Sequence, residues 1–171
     1  VYVPVFDKSL FSGKGDRLPE TEWTRVEGRV DVIIFEGWIV GARPVDEEEL
    51  KNPVTAAERE TDPHGSCRRI INERLKEYEI LFDEIDDLVV LAVPGVEKIR
   101  EWRRLQEEKL RKETGNGMTP KEVDRFVDYY IPSTIRYVFP LRNDPRRASL
   151  VFLVGQNHNI VGVYGPGAEQ I

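Results

Sequence analysis

Apolar residues fall along this chain in two rhythms, and the switches between them predict its strands and helices. Residues 32–35 (Val-Ile-Ile-Phe) and 88–93 (Leu-Val-Val-Leu-Ala-Val) are short unbroken apolar runs. Such runs suit strands covered on both faces, as in parallel α/β sheets. The first predicts a strand over 30–35 that delivers Glu36 to its carboxyl end, where open α/β sheets bind ligands. Gly37 lets the chain turn away there. Between the runs, Ile70, Ile71, Leu75, Tyr78, Leu81, Phe82 and Ile85 recur at helical spacing and predict one amphipathic helix over 66–85. Val96, Ile99, Trp102 and Leu105 mark a second helix to about 112.

A third helix begins at Thr119-Pro120-Lys121-Glu122, with Thr as N-cap, Pro in the first turn and Glu at the reciprocal capping position. Its expected core face is Val123, Phe126, Val127 and Tyr130, and Pro132-Ser133 restarts a short helix. Residues 150–154 and 160–164 flank Gly155-Gln156-Asn157-His158-Asn159 and predict a β-hairpin. Residues 7–28 read as a polar Gly- and Pro-rich loop, long enough to suggest a function. Residues 38–65 read as irregular. The alternation makes the chain α/β, with a parallel sheet flanked by helices.

The 171 residues are 40% hydrophobic and 33% charged, enough for a real core and unlike a disordered chain. A net charge of −6 argues against a general nucleic-acid surface. It leaves a small anionic ligand open, because local Arg and Lys decide that. No apolar run approaches transmembrane length. A single cysteine, Cys67, and two distant histidines argue against a disulfide or a zinc site. They fit a reducing compartment such as the cytoplasm, with organellar targeting left open. Oligomeric state is not legible.

Four blocks in order carry more. They are Asp7-Lys8-Ser9, Gly13-Lys14-Gly15-Asp16-Arg17, Phe35-Glu36-Gly37-Trp38 and Gly115-Asn116-Gly117-Met118-Thr119, with Arg104-Leu105-Gln106 before the last. In this order the chain resembles the D-glycerate 3-kinase family and its fungal ATP-dependent kinase relatives, from about Pro4 to Tyr137. These are P-loop kinases related to uridine kinase and phosphoribulokinase. The resemblance implies a P-loop NTPase-type sheet with a helical lid, ATP and Mg²⁺ as cofactors, and a small hydroxyl compound, D-glycerate first, as acceptor. A nucleoside, pantothenate or another polyol would use the same parts.

The phosphate-binding signature G-x-x-x-x-G-K-[ST] is absent. Around Gly13-Lys14, Lys8 stands where the first Gly is required and Gly15 where Ser or Thr is. The chain also starts at Val1 without Met. The expectation is therefore the carboxyl-terminal part of one kinase domain, inactive alone, with the P-loop and the catalytic base upstream. A stand-alone binding module is the alternative.

By resemblance, residues 7–28 form the acceptor loop, 30–38 the metal-side strand, 96–131 the lid and following helix, and 150–164 a terminal strand pair. Asp7 would accept a substrate hydroxyl hydrogen bond, Lys8 would attract its carboxylate, and Ser9 lies beside them. Arg17 offers a planar fork to carboxylate or phosphate, or else a structural salt bridge. Glu36 would serve the Mg²⁺–phosphate centre, directly or through water, with Trp38 as a wall or simply a core residue. Arg104 is the expected lid arginine, unless it only pairs with neighbouring acids. Trp102 stands one residue earlier than the family's Trp-Arg-Leu-Gln pattern, which keeps Arg103 in play. His64 and His158 are expected in loops without catalytic roles, and Arg142, Arg146 and Arg147 in a solvated loop.

Overall fold

The computed structural model describes residues 1–7, 10–13, 15–144 and 146–166. It divides into two compact units, Val1–Phe35 and Glu36–Ile171.

In the first unit the expected loop is a set of nested antiparallel pairings. β1 (Tyr2–Val3) pairs with β4 (Thr24–Arg25), and β2 (Phe6–Asp7) with β3 (Asp16–Arg17). The short helical turn α1 (Leu10–Gly13) lies inside the inner pair. The outer pairing continues through Val1 and Val26, whose backbones exchange hydrogen bonds of 2.8 and 2.9 Å. Gly15 closes the inner pair at φ +75°, and a Cβ there would lie 2.4 Å from the Phe6 ring. Only glycine fits.

Residues 30–35 depart from expectation. They pair with no described strand, and Val32, Ile33 and Ile34 are 75, 80 and 87% exposed. An apolar run becomes a covered strand only where neighbouring strands and helices pack on it, and none of the described elements does so here.

The second unit opens with the short helices α2 (Glu47–Leu50) and α3 (Ala56–Thr61), the latter N-capped by Thr55. The helix expected over 66–85 is broken into α4 (Ser66–Leu75), a 3₁₀ turn (Lys76–Tyr78) and α5 (Glu79–Phe82). Strand β5 (Leu88–Ala92) leads to α6 (Val96–Thr114) and α7 (Pro120–Ser133). The Thr119–Glu122 capping box is present as the sequence predicts. Pro132 cannot donate to the helix ladder. The helix runs one residue beyond it, then widens into a π-turn (Thr134–Val138) and a 3₁₀ turn (Phe139–Asn143).

The chain ends in β6 (Ala148–Val154) and β7 (Ile160–Tyr164), the predicted hairpin. The sheet order is β5-β6-β7, with β5 and β6 parallel and β6 and β7 antiparallel. Val90, Ala92, Leu141, Ala148 and Val151 form its core. Val89 and Leu91 point away and are exposed, so β5 is covered on one face rather than two.

Residues 38–65 are held by buried polar groups rather than by apolar periodicity. Arg68 donates to the carbonyls of Leu50, Lys51 and Asp62 and to the Asp62 carboxylate. Arg136 binds Glu58 through both carboxylate oxygens, at 2.8 and 3.0 Å. Asn72 exchanges hydrogen bonds with the Val45 backbone.

Candidate functional site

The residues singled out by sequence fall into two sets, one in each unit. In the first, Asp7 is half-buried at the end of β2 and stands opposite Asp16 in the strand register. The Arg17 backbone donates to Asp16 Oδ1 at 2.7 Å. Its guanidinium is exposed and has no ion pair or hydrogen bond among the described residues. Lys8 and Ser9 lie outside the described residues, as does Lys14.

In the second set Glu36 is exposed, and the residue two positions on fixes the chain. Trp38 Nε1 donates to Thr134 Oγ1 at 2.9 Å, and its ring meets Tyr130 edge-on at 5.1 Å. Thr134 Oγ1 in turn donates to the Tyr130 carbonyl at 3.1 Å. Trp38 is thus half-exposed and docked on the end of α7.

Helices α6 and α7 form an antiparallel hairpin around Val123, Val127 and Ile131, with Val96 and Ile99 against them. Successive helix residues are about 100° apart, so the two flanks of this stripe carry different side chains. On one flank stand Asp124 and Asp128. Arg104 grips Asp124 with two hydrogen bonds of 2.8 and 2.5 Å, and Arg100 reaches Asp128 at 2.7 Å. The hydrogen bonds and charge of the pair hold the Asp124 carboxyl below its ordinary range and raise the Arg104 guanidinium.

On the other flank stand Phe126 and Tyr130, whose rings are 4.8 Å apart. They were expected in the core, yet both are partly exposed. Arg103 lies over Phe126, 5.1 Å from its centroid. It is held by Gln106 at 2.7 Å and by Glu107 at 2.5 Å. Glu107 is itself buried and accepts the Met118 backbone N–H at 2.8 Å, tying down the turn before α7. Trp102 faces the β6–β7 hairpin and stacks on His158 at 4.2 Å. Sequence reading had Glu107 only as an exposed partner of the arginines, and missed its burial, the aromatic flank and the Asp124 grip. The matching four-residue spacings of Arg100/Arg104 and Asp124/Asp128 were the available signal for the last.

Among the described residues, no three His, Cys, Asp or Glu side chains are grouped to hold a metal ion. A Mg²⁺ that uses one or two carboxylates, phosphate oxygens and waters does not need such a group. The exposed Glu36 carboxylate, on a chain anchored by Trp38, fits that donor set. No helix among the described residues is long and apolar enough to cross a membrane.

No protein-family model matches the chain. It is 35% identical over 144 residues to the uncharacterised kinase mug58 of Schizosaccharomyces pombe, covering 84% of this chain and 51% of that protein. It is 33% identical over 137 residues to the chloroplastic D-glycerate 3-kinase of Arabidopsis thaliana, covering 80% of this chain and 28% of that one. The structure of D-glycerate 3-kinase from Cryptococcus neoformans var. grubii matches with a TM-score of 0.81 and 32% identity, over 96% of this chain and 59% of that one.

The fold and its relatives thus define the chain as a homologue of kinases, with a mixed α/β architecture and a sheet that contains a parallel pair. Within the kinases, its relatives by both sequence and structure include the D-glycerate 3-kinases. The chain spans about half the length of its S. pombe relative and less of the A. thaliana one.

Proposed function

We propose that this chain is part of an ATP- and Mg²⁺-dependent kinase that phosphorylates a hydroxyl group of a small molecule, with D-glycerate as the leading acceptor. The observation that carries the reading is the match to a D-glycerate 3-kinase structure along 96% of the chain. Within it, Asp7, Lys8, Ser9 and Arg17 are assigned to the acceptor. Asp7 accepts a hydrogen bond from the hydroxyl, while Lys8 and Arg17 draw in the carboxylate. Glu36 is assigned to the metal side of the phosphates. An arginine of α6 is assigned to closure, Arg104 by sequence with Arg103 beside it.

In the reaction the bond between the γ-phosphorus and the bridging oxygen of ATP breaks, and one forms to the acceptor oxygen. The hydroxyl proton leaves to a base outside the residues named here. Catalysis of this kind rests on positioning and charge stabilisation. A Mg²⁺ held there would neutralise charge on the phosphates. Since the chain carries no G-x-x-x-x-G-K-[ST] sequence, the proposal includes a phosphate-binding loop supplied by further polypeptide.

The test is ATP consumption with D-glycerate, by the protein from its complete reading frame and by this 171-residue chain. The reading expects turnover by the former, none by the latter, and a loss of at least about 100-fold in kcat for Glu36→Gln. Turnover with a different hydroxyl compound overturns the acceptor. No phosphoryl transfer and no nucleotide binding by the complete protein overturns the kinase assignment.

A further inference from the structure

We infer that Arg43 and Arg147 form a binding site for a small oxyanion, a phosphate or a carboxylate, at the end of the sheet opposite to the one where β5 leads into α6. The site stands apart from the kinase reading and uses none of the residues assigned there.

The three arginines before β6 differ in what they touch. Arg142 lies over the Phe139 ring, 5.3 Å from its centroid. Arg146 grips both oxygens of Asp144, at 3.0 and 3.1 Å. Arg147 is half-buried, and its guanidinium has no hydrogen bond or ion pair among the described residues.

The topology brings Arg43 to the same place. Leu88 pairs with Ala148 at the amino ends of the parallel strands β5 and β6, and Arg147 is the residue just before that pair. Gly41 presses on Leu88 from another side, since a Cβ at Gly41 would lie 2.6 Å from Leu88 Cδ2. Two residues on, Arg43 is tied to α5 by Asp83 and, at 3.4 Å, by Glu79. The two guanidiniums are close enough to act on each other. Burial lowers the Arg147 pKa, and the charge of Arg43 lowers it further.

A partly buried guanidinium without an acceptor, beside a like charge, is unfavourable on both counts. The neighbouring acids do not relieve it. Asp144 is taken by Arg146 and Asp83 by Arg43, and Glu79 makes only a loose ion pair with Arg43. Arg68 and Arg136 are more deeply buried, yet each has a carboxylate and backbone carbonyls to receive its protons. An oxyanion with two or more free oxygens supplies what Arg147 lacks, because it accepts from two guanidiniums at once. Open α/β sheets bind substrates at the carboxyl ends of their strands. A ligand at the amino ends of β5 and β6 would instead fasten residues 41–43 and α5 to the sheet, and so act on stability rather than on the reacting groups.

The experiment titrates inorganic phosphate, and separately acetate, into the protein from its complete reading frame by calorimetry at constant ionic strength. A non-hydrolysable ATP analogue is present throughout to fill any nucleotide site. Saturable binding of one ion is expected, weakened about tenfold or more in Arg147→Gln and in Arg43→Gln. Arg146→Gln should bind within about twofold of the parent. Binding by phosphate alone assigns the site to phosphoryl groups, and binding by acetate alone to carboxylates. A second measurement needs no variant. Arg147 of the parent should react with phenylglyoxal, and the binding ion should slow that reaction, as followed by mass spectrometry. No saturable binding of either ion overturns the inference, as does equal binding by the parent and Arg147→Gln. It is overturned too if Arg147 resists phenylglyoxal with no ion present, since a group of the protein itself then covers it. Turnover is no part of these readouts, so failure of the kinase reading leaves the test standing.

Discussion

The second unit uses one chemical pair, arginine with carboxylate, in two environments. Arg136 with Glu58 and Arg68 with Asp62 are almost fully buried, and each guanidinium also donates to backbone carbonyls. Arg100 and Arg104 with Asp128 and Asp124 lie on the surface of the helical hairpin. Water competes for the second set and screens it, so each pair holds weakly and can exchange partners. Nothing competes for the first set. Its members cannot separate without leaving a charge in a poor solvent, so they fix the chain rather than act on ligands.

The sharpest way to break this comparison is to remove one carboxylate from each set. Glu58→Ala leaves Arg136 buried without a counter-charge and should cost about 3–5 kcal/mol in urea unfolding. Asp128→Ala should cost only about 0–1 kcal/mol. Equal costs for the two variants would erase the distinction.

A smaller effect sharpens the comparison through pH. Burial works against the charged form of Asp62, but hydrogen bonds from the backbone N–H groups of Arg68 and Cys67, with the charge of Arg68, outweigh it. The net effect holds the carboxyl below its ordinary range. A carboxylate whose folded pKa is depressed contributes stability that is complete above its unfolded value, near 4. That contribution is lost as pH falls through the lower, folded value. Unfolding midpoints of the parent and Asp62→Asn should therefore differ at pH 7 and converge below about pH 4. A constant difference down to pH 2 would show that Asp62 acts through packing alone.

Legibility in the sequence follows the same division. Apolar periodicity and capping chemistry revealed α6, α7, β5 and the β6–β7 hairpin, because each buries an apolar stripe or carries its own start signal. Residues 38–65 read as irregular because Glu58, Asp62, Arg68 and Asn72 order them, and polar core contacts leave no period. The run at 32–35 misled in the opposite sense. It has the composition of a covered strand, but composition does not supply the neighbours that cover it. At the candidate site, Glu36, Trp38 and the arginine pair were visible as residues. Their flanks were not, since Phe126 and Tyr130 look the same in sequence whether they fill a core or wall a surface.

The smallest predicted effect has the opposite sign and tests what burial demands. Tyr137 packs with Ala42 and Leu75, and its hydroxyl is buried with no hydrogen-bond partner among the described residues. Desolvation pushes its pKa up to about 12. Arg136, its neighbour in sequence, is buried with its charge answered by Glu58, whereas the Tyr137 hydroxyl is buried with nothing among the described residues to answer it. A buried polar group lacking a partner costs stability, so removing it should cost none. Tyr137→Phe is therefore expected to be neutral or stabilising by up to about 1 kcal/mol at pH 7. The raised pKa adds a second signature. A group harder to ionise when folded contributes fully below its unfolded value, near 10, and loses that contribution as pH rises toward the folded one. Parent stability should decline between those limits by more than that of Tyr137→Phe. A loss above about 1 kcal/mol in the variant at pH 7 would mean that the hydroxyl has a partner, and would place Tyr137 with the answered groups beside Arg136 and Arg68.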